Sequence, residues 1–206
     1  MVRVKAPLFS LAASGTLGKS IVFSNWKGVD YVRRHAIPSN PKDPLQIAIR
    51  SMFKFLSQEW TSFQATPKAS WDEKAAAANV SPFNSYVGFN MFRHRNNLPP
   101  TKDSNLEMIG VAGDVPTTTA TGGVRQVTLS IAKGAAAPSW GWMIHRAATG
   151  FTPSWANAIA LIPYSATPSV YVDTPLAPGP YYYRIKGFAD DGLFGSLEAE
   201  RTATAT

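Results

Sequence analysis

The sequence predicts two domains, a small α+β unit (a β-hairpin plus three short helices) followed by an all-β sandwich, and three observations carry that reading. The first is charge. Residues 1–104 hold 14 Lys and Arg against 6 Asp and Glu, whereas residues 105–206 hold 6 against 7. A basic half joined to a neutral half points to two different tasks. The second is periodicity, which changes near residue 100 from apolar side chains three and four apart to apolar side chains two apart. The third is Leu98-Pro99-Pro100, whose paired prolines end a helix and mark a connection. The expected boundaries are residues 1–97 for a basic α+β anchoring domain, 98–104 for a linker and 105–206 for the sandwich.

The elements follow in order. Lys19 to Trp26 and Val29 to Ile37 are rich in β-branched and aromatic residues, with Lys27-Gly28 between them as a tight turn. They predict a hairpin. Asp43-Pro44, Thr66-Pro67 and Ser81-Pro82 then each place a capping oxygen before a proline, which loses no hydrogen bond at the first helical position. After Pro44, Leu45, Ile49, Met52, Phe53, Leu56 and Trp60 form one apolar face; after Pro67 come Trp71 and the run Ala75–Ala78; after Pro82 come Phe83, Tyr86, Val87, Asn90 and Met91. Beyond the prolines, Val127 to Ile131, Trp142 to Arg146, Val170 to Val172 and Tyr181 to Ile185 read as short alternating strands. Gly, Pro, Thr and Ser clusters, including Thr117 to Gly123, separate them, which is the pattern of a sandwich.

Composition narrows the chemistry. The chain has 206 residues, and 6 Trp, 7 Tyr and 11 Phe supply enough apolar area for a core, which excludes disorder. With no cysteine there are no disulfides, thiolate metal sites or cysteine nucleophiles, and the redox compartment stays open. The longest uncharged stretch, Ala147 to Val172, is broken by Pro153, Pro163 and Pro168 and predicts no membrane span. The start, Met1 to Lys5 followed by Ala6 to Ala13, carries a proline and a serine in a short apolar core and is not read as a signal peptide.

The C-terminal half resembles a fibronectin type III domain over residues 105–206. The resemblance rests on Val127-Thr128-Leu129, on Gly141 to Arg146, and above all on Leu176-Ala177-Pro178-Gly179-Pro180-Tyr181-Tyr182-Tyr183-Arg184-Ile185. It implies that the Tyr181 hydroxyl ties a corner back to the backbone, that Tyr183 and Ile185 face inward, and that Trp142 is structural. Ile131 stands where that family usually has tryptophan. The N-terminal half resembles a segment of structural proteins of tailed-bacteriophage particles over residues 10–97. There the matching residues are Gly15 to Phe23, Trp26-Lys27-Gly28, Tyr31-Val32-Arg33 and Asn40-Pro41, with Gln46 and Arg50. This resemblance implies a virion component.

Ala13 to Ser20 fits a relaxed nucleotide-binding loop, yet strand-forming residues follow where a helix is needed, so a turn before the hairpin is expected. His35, His94 and His145 lie apart without ligand spacing and are expected on the surface, with no metal. Asp72-Glu73 is read as complementing a helix N-terminus. There is no Gly-x-Ser-x-Gly elbow, no enzyme is expected and no cofactor is implied.

What remains is cationic: Arg33-Arg34-His35 and Arg93-His94-Arg95, with Lys5, Lys19, Lys27, Lys42, Arg50, Lys54 and Lys74, interleaved with Trp26, Tyr31, Phe53, Trp60 and Phe92. One alternative is a solvated face with the aromatics in the core; the expectation taken is that Arg33, Arg34, Arg93, Arg95, Lys27 and Trp26 are protein-interface residues, seated on the major capsid protein or another virion protein. The expected role is a head decoration or cement protein in the virion, assembled in the host cytoplasm. A tail or head–tail-junction component is the first alternative. A host-surface adhesion module using Trp140, Trp155 and Tyr182 against glycan is another. A DNA-binding virion protein is the third. Nucleic acid is the disfavoured partner, no membrane is expected, and homo-oligomerisation is left open.

Overall fold

The computed structural model describes residues 2–3, 14–37, 43–105, 115–136, 140–165 and 167–206. Two compact units emerge, Met1–Pro41 and Lys42–Thr206. The division therefore falls well before the expected linker, and the helices belong with the sandwich.

The first unit is a four-stranded antiparallel sheet. Its strands are β1 (Val2–Arg3), β2 (Gly15–Leu17), β3 (Ile21–Trp26) and β4 (Val29–Arg34), in the spatial order β1-β4-β3-β2. The expected hairpin is β3–β4. Lys27 and Gly28 both have positive φ, 50° and 74°, which matches the twist of a two-residue hairpin turn. Asn25 secures the turn by donating to Asp30 and accepting from the Gly28 N–H. A second turn at Gly18-Lys19-Ser20 joins β2 to β3, so the segment that imitates a phosphate loop returns into a strand. None of residues 14–37 is buried.

The second unit opens with α1 (Pro44–Ser62), α2 (Ala65–Ala78) and α3 (Pro82–Arg95). Asp43 and Ser81 cap as expected, accepting from the Leu45 and Asn84 N–H groups. The Thr66-Pro67 device does not act that way. Helix α2 starts two residues earlier than Pro67, after an extended Gln64 that supplies no side-chain cap. Proline is tolerated there because the first-turn N–H groups have no intrahelical partner anyway. As a consequence Asp72 and Glu73 lie in mid-helix rather than in a first turn.

Eight strands follow: β5 (Thr117–Gly123), β6 (Gln126–Ala132), β7 (Gly141–Ala147), β8 (Ala158–Pro163), β9 (Ser169–Asp173), β10 (Gly179–Phe188), β11 (Phe194–Leu197) and β12 (Arg201–Ala205). One sheet has the order β5-β6-β9; the other has β11-β10-β7-β8, with β12 also on β10. Between them lies a core of Val127, Leu129, Ile131, Trp142, Ile144, Tyr183 and Ile185. Strand β6 alternates buried and half-buried residues along its length, as a strand with one covered face must.

Strand β7 does not. Gly141 to His145 are all buried. Trp142 and Ile144 enter the sandwich core, whereas Met143 joins Trp140, Ala158, Leu161 and Phe188 in a second core with Met52, Phe55 and Leu56 of α1, Trp71 of α2 and Tyr86 of α3. The five-stranded sheet is covered on both faces, so this unit has three layers.

The segment expected to be a linker is part of that packing. Pro99, Pro100, Thr101 and Ser104 are buried. The Asn90 side chain accepts from the Thr101 N–H and donates to its carbonyl, the Trp71 indole donates to the Lys102 carbonyl, and Lys102 N–H donates to Asp190. Physically, a helical layer that shares a core with a sheet cannot be joined to it by a free tether. Gly192 tests this packing. Its φ is +90°, and a Cβ there would lie 2.5 Å from the Arg93 guanidinium and 2.7 Å from the Thr101 methyl. Gly192→Ala is expected to cost about 2 kcal/mol or more, from strained backbone plus contact, read as a lower urea midpoint at unchanged slope.

Candidate interaction surface

Adjacent residues on a strand point to opposite faces, and the β3–β4 register sorts the expected interface residues accordingly. Val22 lies opposite Arg33, Ser24 opposite Tyr31 and Trp26 opposite Val29, so these share one face. Ile21 lies opposite Arg34 and Phe23 opposite Val32, with Leu17 of β2 beside Ile21, on the other. Arg33 and Arg34 therefore do not act as a pair. The Lys27 ammonium stands 5.1 Å from the Trp26 ring centre, and Trp26 remains 65% exposed. Both faces carry large apolar side chains, Leu17, Ile21, Trp26 and Val29 among them exposed.

The second arginine cluster is not brought to that surface role intact. Arg95 is exposed, but Arg93 is buried, which corrects its expected place in an interface. Its guanidinium donates from Nε to the Pro99 carbonyl at 2.7 Å and from Nη2 to the Gly192 carbonyl at 3.1 Å. It clamps the chain after α3 to the loop between β10 and β11. Lys5, Lys42 and Asn40-Pro41 lie outside the described residues.

Two histidines expected on the surface are also buried. His94 on α3 and His145 on β7 line a cavity of about 40 Å³ together with Asn97, Met143, Trp155 and Lys186. The reason for His94 is helical geometry, because Tyr86, Asn90 and His94 succeed one another four apart on the face that α3 turns inward. Burial drives His94 down to about 4, and the Arg95 charge adds to this. Burial likewise drives His145 down to about 3; the Arg184 carbonyl opposes the shift, while Lys186 and His94 reinforce it. Both are neutral at pH 7. His35 is half-buried in the first unit and does not join them. No group of three or more His, Asp or Glu able to hold a metal occurs among the described residues. No helix among them is long and apolar enough to cross a membrane.

The aromatic residues proposed for glycan do not converge. Trp140 is buried and donates to Glu59 at 2.6 Å, and Trp155 is half-buried against the His94 ring. Tyr182 lines an open groove with Tyr181, Arg146 and Pro44. The structural expectations fare differently. Tyr181 Oη donates to the Ala177 carbonyl at 2.9 Å, Tyr183 and Ile185 face the core, and Trp142 is fully buried.

No family model matches the chain, and no curated protein matches it. Among solved structures, a Fn3-like protein from Clostridium thermocellum is 20% identical, with a TM-score of 0.33, over 47% of this chain and 96% of that one. The fibronectin type-III domain of human fibronectin type III domain containing protein 3 is 11% identical, with a TM-score of 0.33, over 47% of this chain and 88% of that one. Part of this chain has a fibronectin type III-like fold: two sheets of order β5-β6-β9 and β11-β10-β7-β8, closed at one corner by Tyr181.

Proposed function

We propose that this chain is a non-enzymatic structural protein of a tailed-bacteriophage particle, most readily a head decoration or cement protein. It docks through its cationic N-terminal sheet and carries the helix-backed sandwich with it. The observation that carries the docking is the sheet itself, which displays Leu17, Ile21, Trp26 and Val29 beside Arg33 and Arg34 while none of residues 14–37 is buried. A small sheet that leaves residues 14–37 unburied gains stability by covering that area on a neighbour. The virion placement rests on the sequence resemblance of residues 10–97 to phage structural segments alone. Repetition over a symmetric shell multiplies a modest gain per site.

Exchanging Arg33 and Arg34 for Glu is expected to lower occupancy on purified particles at least tenfold, with the isolated protein still folded by circular dichroism. Arg93 has no place in that set, because its replacement removes a buried clamp. Unchanged occupancy refutes the docking role. Mass analysis of separated heads and tails decides the position, and a chain found in neither fraction removes the virion reading.

A further inference from the structure

The two faces of the N-terminal sheet differ in charge, and that difference identifies the kind of partner. Asp30, the one carboxylate among residues 14–37, follows Val29 and so projects from the face of Phe23, Val32 and Arg34, where Asn25 donates to it. The opposite face carries Trp26, Tyr31 and Arg33 with Val22 and Val29, and Lys27 lies over the Trp26 ring. It holds no carboxylate among the described residues. Trp, Tyr and Arg are the residue types that dominate binding energy at protein interfaces, and an uncompensated guanidinium beside them favours carboxylates opposite.

We infer that the Val22–Trp26–Val29–Tyr31–Arg33 face binds a protein surface with an apolar centre and an acidic rim. This rests on the docking reading above and adds to it which face makes the contact and what the partner must carry. A second copy is disfavoured by charge, since Arg33 and Lys27 would meet their own kind. Single-stranded nucleic acid fits less well, because the Lys27 ammonium stands over the Trp26 ring that a base would stack on, and Val22 and Val29 offer it nothing.

The test uses the full chain in cells that assemble the particle, with p-benzoylphenylalanine placed at Ser24, which shares this face but is none of its principal side chains. On irradiation the expected result is an adduct with a peptide of a different protein, located by mass spectrometry within a surface rich in Asp and Glu. Arg33→Glu should reduce its yield at least tenfold, whereas Arg33→Lys should keep most of it. Circular dichroism of each purified variant controls for folding. Adducts only between copies of this chain, adducts with nucleic acid, no adduct, or a yield indifferent to Arg33→Glu would each overturn the inference. The same adduct formed outside particles supports the surface and overturns only the virion placement.

Discussion

Phe55→Ala is expected to destabilise the second unit by about 3–5 kcal/mol, the range for removing a buried aromatic side chain. It should melt helices and sandwich in one transition. Phe55 comes from α1, yet its ring lies 5.1 Å from Trp140 and 5.4 Å edge-on from Phe188, both of which belong to the strand region. The cavity it leaves therefore removes contacts from both layers at once. Far-ultraviolet circular dichroism reports the helices, and the backbone amide NMR signals of β6, β7 and β10 report the sandwich. Coincident urea curves, shifted together, are the expected outcome. Two separate transitions, with the sandwich unmoved, would return the chain to the arrangement that its charge pattern suggested. The same geometry makes residues 105–206 a poor fragment, since they would expose Trp140, Met143, Leu161 and Phe188 together.

That shared core was partly legible. Ala158 to Ile162 is an unbroken apolar run, and so is Trp142 to Ile144. Such runs signal strands covered on both faces. The alternation of Trp142 to Arg146 masks this, and the run at β8 has no polar residue to mark a face. The amphipathic α1 was available to cover the second face. Charge misled because it records which surfaces meet solvent, not which elements share a core. Strand β5 is obscured for a different reason. Thr117 to Thr121 looks like a polar separator, but threonine is β-branched and favours strands. Its inward residue Thr118 is buried, donating through its N–H and hydroxyl to the buried Glu198 carboxylate.

For the candidate surface, spacing held more than composition did. Arg93 and Arg95 are two apart on a helix and so point to opposite sides, and Arg93 is seven residues after Tyr86, on the stripe that α3 buries. Arg33 and Arg34 are adjacent on a strand and must part. Sequence showed the cations; only the elements show which way each one points. What no spacing rule reveals is the Arg93 clamp, because its acceptors are the carbonyls of Pro99 and Gly192, the latter 99 positions away.

Acidification supplies the second large effect. His94 and His145 are held neutral by burial, with folded values of about 4 and about 3 against about 6.5 for a free imidazole. The charged groups that bear on them are Lys186 from β10 and Arg95 from α3 itself, and no carboxylate lines their cavity. Protonation therefore places like charges together where the helical layer meets the sheet. As pH falls below 6.5 the unfolded chain takes up two protons that the folded chain refuses. The stability these groups contribute is thus complete above that pH and lost as pH falls through it towards the folded values. Near pH 5 the slope from the pair approaches about 2.7 kcal/mol per pH unit. Urea unfolding at a series of pH values between 7 and 4.5 measures it. The double variant His94→Gln, His145→Gln is expected to start from a different stability but to decline less steeply across that window. Parallel curves would mean that the imidazoles already titrate alike in both states. Since every other titratable group is common to the two proteins, the difference in slope belongs to the two imidazoles alone.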